Sequence, residues 1–196
     1  MNHQAIFKSF SQLTDIPELE WHYLKSKIKW HSVRKGDLLV QAGEVSDRIY
    51  FCHSGVFRMF YLKEDGDEFN KSFVQEGQFF TSYSSVISSI PSYFAIQALE
   101  NAVVASFTYK VLLQLYERHH CWEVVGRKLI EQLYIKKETR ERQLLLHSAE
   151  ERYHLFLEEF PGLEDRITQY HIASYLGISP VSLSRIRGQL SCKSLI

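Results

Sequence analysis

Ile6, Phe7 and Phe10 are spaced for one face of a helix, and Leu19, Trp21, His22, Leu24 and Ile28 extend that spacing over later turns. Ser11 to Asp15 supplies turn and cap residues between the two stretches. From Trp30 to about Phe107 the texture changes. Short apolar runs at 38–40, 49–51, 56–61, 69–74, 79–80, 94–99 and 103–107 are rich in β-branched and aromatic residues, with turn residues between them. No proline falls between Pro17 and Pro91, so strand ladders can run uninterrupted. Many short strands at this spacing predict an all-β barrel, roll or sandwich.

Beyond Tyr109 the period lengthens again. Trp122, Val125, Leu129 and Leu133 recur at intervals of three and four, Ile130 and Tyr134 widen the stripe, and charged residues fill much of the remainder. This predicts a long amphipathic helix. At ~1.5 Å per residue it outruns a small barrel, so its stripe at Trp122, Val125, Leu129 and Leu133 is assigned to pairing with a second copy of the chain. Residues 148–196 read as three helices. Ser148 and Glu151 form a capping box, Tyr153, Phe156, Leu157 and Phe160 make an apolar face, and Pro161-Gly162 ends the first of the three.

The remaining pair carries the most specific pattern. Thr168 caps a helix that buries Ile172 and Leu176, and the small Ala173 admits a second helix at close range. Gly177 supplies the positive φ of a tight turn, Ile178 plugs it, Ser179 is an N-cap and Pro180 takes the first helical position. Leu183 and Ile186 then face inward. Apolar positions 172, 176, 178, 183 and 186 around Ala-x-x-x-Gly predict a helix-turn-helix. Ser182, Ser184 and Arg185 are left on the outside, with Arg187 and Gln189 further along. Such a helix can lie in a DNA major groove, with Arg185 bidentate to a guanine and Val181 against a thymine methyl. Thr168, Gln169 and Ser179 suit phosphates.

Charge sharpens this reading. The 196 residues carry 23 Lys plus Arg and 23 Asp plus Glu, which excludes a uniformly basic coat. After Asp165, however, there is no acid, while Arg166, Arg185, Arg187 and Lys193 follow. A hydrophobic share of 45% is enough for a buried core in one large or two small domains. Cys52, Cys121 and Cys192 are scattered and odd in number, which speaks against a disulfide framework or a cysteine metal site. No apolar run approaches the roughly 20 residues that span a bilayer, and the first residues lack signal-peptide features. The expectation is a cytoplasmic protein with no membrane partner. His119-His120-Cys121 are adjacent and point different ways on a helix, so they are read as structural, and no catalytic or metal-binding residue is assigned.

A β-rich segment, one long helix and a helix-turn-helix, in that order, resemble the Crp/Fnr superfamily of bacterial transcription regulators over nearly the whole chain. The run Gly36 to Glu44 followed by Ile49 to Gly55 is similar to the cyclic-nucleotide-binding-domain pattern of glycine, apolar pair, glycine, apolar strand and glycine, with Ser46 and Cys52 as mild departures. The resemblance implies an α+β protein: a jelly-roll-like β-roll in a sensor domain at 1–118, a dimerisation helix at 119–146 and an all-α helix-turn-helix DNA-binding domain at 147–196. It further implies a homodimer without enzymatic activity, with double-stranded DNA, RNA polymerase and a small-molecule effector as partners.

Nucleotide-binding members hold the ribose with Gly-Glu and the cyclic phosphate with Arg followed by Ser or Thr. Here those positions resemble Gly77-Gln78 and Ser92-Tyr93, and the neutralising charge is missing. No cofactor is therefore expected, and cyclic AMP is not expected in the usual mode. The N-terminal cysteine cluster of oxygen-sensing members is also missing. Nine of the thirteen side chains from Thr81 to Tyr93 carry a hydroxyl. Two readings stand. One is a polar-ligand cassette formed by Gly77, Gln78, Phe79, Thr81, Ser82, Ser92 and Tyr93 and closed by Tyr134. The other is an exposed loop whose serines cap and turn. The rival for the whole chain is a cupin-like small-molecule-binding or metal-dependent protein whose C-terminal helices mediate protein contacts.

Overall fold

The computed structural model describes residues 3–193, with side chains to Leu190. Helices α1 (Gln4–Ser11) and α2 (Glu18–Lys27) precede strands β1 (Lys29–Val33), β2 (Leu38–Val40), β3 (Arg48–Ser54), β4 (Phe57–Leu62), β5 (Glu68–Val74) and β6 (Phe79–Phe80). A short helix α3 (Tyr83–Ser88) leads to β7 (Ala95–Ala98) and β8 (Ala102–Thr108). Helices α4 (Tyr109–Arg118), α5 (His120–Leu146), α6 (Ala149–Glu159), α7 (Gln169–Leu176) and α8 (Pro180–Lys193) complete the chain. The strands form two antiparallel four-stranded sheets, β1-β8-β3-β6 and β2-β7-β4-β5, which face each other as a roll.

Strand alternation sorts the side chains. Tyr50 and Cys52 on β3 and Val104 on β8 point into the roll, where they meet Phe57, Met59, Phe80, Phe94 and Ile96. Phe51, Ala105 and Phe107 point the other way and carry Ile6, Phe10, Leu24, Leu115, Trp122 and Val125 from the surrounding helices. A third cluster joins Val56, Phe73 and Leu99 of the roll to Phe156, Phe160, Ile172, Leu176, Leu183 and Ile186. The C-terminal helices are thus packed on the roll, and no helix among the described residues is long and apolar enough to cross a membrane.

Three local features depart from the sequence reading. Lys29–Val33 is a strand paired with β8; its apolar residues continue the spacing of α2 and so gave no separate signal. The hydroxyl-rich segment contains α3, which ends at Ser89 in a left-handed conformation, φ 53°. The helical stretch after Tyr109 breaks at His119, whose extended backbone and ring cap α5 by accepting from the Cys121 amide. The capping box at Ser148 and Glu151 forms as expected.

Gly55 turns β3 into β4 with φ +104°, and a Cβ there would come within 2.5 Å of the Ala102 Cβ. Gly36 has a similar φ of +92° but open space around it. Gly55→Ala should therefore cost ~2–3 kcal/mol in urea denaturation and Gly36→Ala only ~1 kcal/mol, since the second pays for backbone strain alone. Equal losses would show that the contact with Ala102 relaxes freely.

Candidate nucleic-acid interface

The helix-turn-helix forms with the contacts its residue types require. Gly177 ends α7 at φ 69°, and the Ser179 hydroxyl accepts from the Ser182 amide at 3.1 Å to start α8. Ile172, Ala173, Leu176 and Leu183 are fully buried and Ile186 nearly so. On the opposite side of α8, Val181, Ser184, Arg185, Gly188 and Gln189 are exposed. Their spacing of three and four places them on one face. Val181 remains 62% exposed despite being apolar.

The expected contact residues do not all stand alike. Thr168 and Gln169 are exposed at the start of α7, and the Thr168 side chain makes no capping bond. Ser182 is partly buried and its hydroxyl is paired with Ser179 at 2.9 Å. Arg187 is turned back toward Glu164, 3.7 Å away, so it is drawn toward its own domain and away from the outer face. Arg166 is held between Glu76 at 2.7 Å and Glu100 at 2.5 Å. That clamp keeps the Glu76 carboxyl down at about 2. The surplus of positive charge read from the sequence after Asp165 is therefore partly used inside the molecule. Arg185 has no ion pair among the described residues, while Lys193 lies outside the described side chains. Tyr170, half exposed beside Gln169, joins this surface; an isolated aromatic with a polar tip was the only signal for it.

Two elements set the position of this surface. The first is the edge of β5. The Ser174 hydroxyl accepts from the Asn70 amide at 2.9 Å and donates to the Glu68 carbonyl at 3.0 Å. Asn70 Nδ2 donates to the His171 carbonyl at 2.9 Å. Arg58, only 4% exposed, donates to Glu68 at 2.5 Å and Gln97 at 2.8 Å and reaches His171 Nδ1 at 3.4 Å. Burial, and Arg58 after it, push His171 down to about 4. The second element is α5 with α6. Arg140 stacks on the Tyr175 ring at 3.8 Å and bonds its carbonyl, Arg152 donates to the Leu176 carbonyl at 3.1 Å, and Lys136 pairs with Glu159 at 2.9 Å. Cations thus cap the carbonyl end of α7.

The assignment of the α5 stripe needs correcting. Trp122 and Val125 are each 1% exposed, packed on Phe10 and the outer face of the first sheet. They belong to the chain's own core and are closed to a partner. Leu129 is partly buried on the same cluster, and Leu133 is intermediate. The exposed apolar side chains of α5 are Ile130, Tyr134, Ile135, Leu144, Leu145 and Leu146. Periodicity located a stripe but could not say which part the barrel covers.

The hydroxyl-rich segment is bonded to itself and to the chain's own backbone. Ser82 and Ser92 are buried and their hydroxyls lie 2.7 Å apart, Ser92 also donates to the Phe94 carbonyl, and Thr81 donates to the Arg48 carbonyl. Gly77 and Gln78 lie in the β5–β6 turn, where Gln78 accepts from the Gln75 amide. Phe79 stacks on Phe10 at 4.6 Å on the outer face. Tyr93 and Tyr134 are exposed. Phe79 therefore lies on the outer face of its sheet, while Ser82 and Ser92 are buried. Cys52 is buried and its thiol is pushed up to about 12 by that burial, which keeps it unreactive. Among the described residues no three His, Cys, Asp or Glu side chains are grouped to hold a metal.

Residues 30–119 match the family model of the cyclic nucleotide-binding domain. The Anaerobic regulatory protein of Haemophilus influenzae is 25% identical over 171 residues, which take in 80% of this chain and 65% of that relative's length. FixK2 of Bradyrhizobium japonicum superposes with a TM-score of 0.74 at 21% identity, over 85% of this chain and 86% of that one. A transcriptional regulator of the Crp/Fnr family from Eubacterium rectale gives 0.70 at 16% identity, over 91% and 85%. The β-roll is therefore of the cyclic nucleotide-binding type. With its long helix and helix-turn-helix, the chain has the fold of the Crp/Fnr-type regulators.

His171 titrates at 6.5 when free and about 4 when docked, so protons favour the released state. The docking contribution should be whole above pH 6.5 and be lost as pH falls toward 4. Urea midpoints measured from pH 7 to 4.5 should fall more steeply for the natural chain than for His171→Gln; parallel curves would remove His171 from the docking balance.

Proposed function

We propose that this chain is a DNA-binding transcription regulator that acts as a homodimer in the cytoplasm. The observation that carries the reading is the outer stripe of α8, Val181, Ser184, Arg185, Gly188 and Gln189, exposed on a helix whose inner face is locked by Leu183 and Ile186. A polar, protruding helix with one free guanidinium suits base edges in a major groove. Exposed Thr168, Gln169 and Tyr170 and the first amides of α7 suit the flanking phosphates. Dimerisation is supported by the apolar side chains that α5 leaves exposed, Ile130, Tyr134, Leu144 and Leu145.

We infer further that the roll does not take cyclic AMP in the usual mode. Its interior is filled by Tyr50, Phe57, Phe80 and Phe94. Ser82 and Ser92 satisfy each other, and among the described residues neither hydroxyl is hydrogen-bonded to a cationic side chain of the kind that would neutralise a phosphate.

Selection of duplexes from a random pool should enrich a two-fold-symmetric sequence with half-sites about one turn, ~34 Å, apart. A pool left unenriched at low salt rejects the reading. Arg185→Ala should weaken binding to the selected site by ~1–3 kcal/mol and relax preference at one base position. A uniform loss on all sequences would make Arg185 a phosphate contact.

The two sides of α5 separate in a second experiment. Tyr134→Glu with Leu145→Glu should turn the dimer into a folded monomer in sedimentation. Trp122→Ala should instead lower the stability of each protomer by ~3–5 kcal/mol. Dimers that survive the double substitution would place the pairing surface elsewhere.

A further inference from the structure

The roll has a polar end that the proposed function leaves unused. His31, Arg48 and Ser106 follow the inward alternation of Val33, Tyr50 and Val104, so they project into the roll where its apolar filling stops. An open cleft of about 250 Å³ lies there, lined by His31, Val33, Leu38, Leu39, Arg48 and Tyr50 together with Ser32 and Asp37.

The hydrogen bonds in this cleft fix its character. Ser106 is fully buried. Its hydroxyl lies 3.3 Å from Arg48 Nη1 and 2.8 Å from His31 Nε2. Arg48 can only donate, so the hydroxyl accepts from it, and the direction of its bond to His31 Nε2 follows the ring's tautomer. Burial, then Arg48 and Lys29, hold His31 below its ordinary value, which keeps the ring neutral. The Tyr50 hydroxyl is already given to the Leu39 carbonyl. The nearest acid paired with Arg48 is Asp47, at 3.9 Å and largely in solvent. The carboxylate in the lining, Asp37, accepts from the Arg34 amide of its own turn. Most of the five guanidinium N–H groups of Arg48 are therefore left without an acceptor among the described residues. Donors dominate the cleft, one permanent cation faces it, and Val33, Leu38 and Leu39 form an apolar wall on which Leu38 remains 44% exposed.

We propose that this cleft binds a short aliphatic monocarboxylate, with the carboxylate on Arg48 and the hydrocarbon on Leu38, Leu39 and Val33. A single guanidinium matches a single negative charge in fork geometry, whereas a phosphate dianion would need a second cation. The apolar wall removes a few methylenes from water. The site is separate from Ser82, Ser92 and the helix-turn-helix, and its occupation does not depend on whether the chain binds DNA.

The test is a titration of the full chain with sodium butyrate, against sodium chloride at equal ionic strength, following the Arg48 Nε–H and His31 ring resonances by NMR. A saturable shift at roughly millimolar butyrate is expected, the affinity of one charged pair plus a small apolar contact. Arg48→Gln should weaken it by about tenfold or more. If that variant does not fold, Arg48→Lys, which keeps the charge but loses the fork, should weaken it several-fold. Shifts no larger than those in chloride, affinity unchanged in a folded Arg48 variant, or saturation by inorganic phosphate in place of butyrate would each overturn the proposal.

Discussion

The exposed edge of β5 has to be covered, and what covers it is the helix-turn-helix. β5 ends its sheet, so its outer N–H and C=O groups have no strand partner. A single serine takes the part of one. Ser174 both accepts from the Asn70 amide and donates to the Glu68 carbonyl, and Asn70 reaches on to the His171 carbonyl. Next to this polar seam, Phe73 sits among Phe156, Phe160 and Tyr175. The seam sets direction, and the aromatic cluster supplies an apolar contact beside it. Together they fix where the outer face of α8 points relative to the roll.

The seam is also a place of unequal satisfaction. Arg58 is nearly buried and bonded to Gln97 and Glu68, whereas Asn70 Oδ1 accepts no hydrogen bond. Burial, and Arg58 after it, keep His171 neutral even in mildly acidic solution. An interface of this kind holds while every partner is in place and loses several contacts together when one moves. Packed elements switch between discrete arrangements more readily than they bend. A displacement of β5 must therefore carry α7 with it or break the Ser174 pair. Because Arg140 and Arg152 grip the other end of α7, α5 and α6 have equal purchase on the same helix.

Local chemistry made much of this legible in the sequence. Seven strands, the capping box at Ser148 and Glu151, and the turn at Gly177 and Ser179 each follow from residue types within a few positions of one another. Contacts between distant residues did not show. Arg166 looked like part of a basic tail, yet its partners Glu76 and Glu100 lie on turns of the roll. Trp122 and Val125 have the spacing of a pairing helix, and the same spacing serves a helix packed on its own sheet. The polar groups His31, Arg48 and Ser106 come from three separate strands, and only the register of β8 between β1 and β3 brings them together.

The charge distribution bears on how the proposed regulator would gain affinity. Two of the arginines that follow Asp165 are engaged by acids of the chain itself, Arg166 by Glu76 and Glu100 and Arg187 by Glu164. One protomer therefore offers few cations to the phosphates, and counterion release, which scales with the number neutralised, is correspondingly small. A single copy then has neither strong non-specific attraction nor many base contacts. Two copies held at fixed separation turn the second contact into an intramolecular event, which raises avidity without adding a cation. On this account the exposed apolar side of α5 matters as much to DNA affinity as Arg185 does. A neutral chain can then discriminate among sequences more sharply than a basic one, because little of its binding is indifferent to sequence.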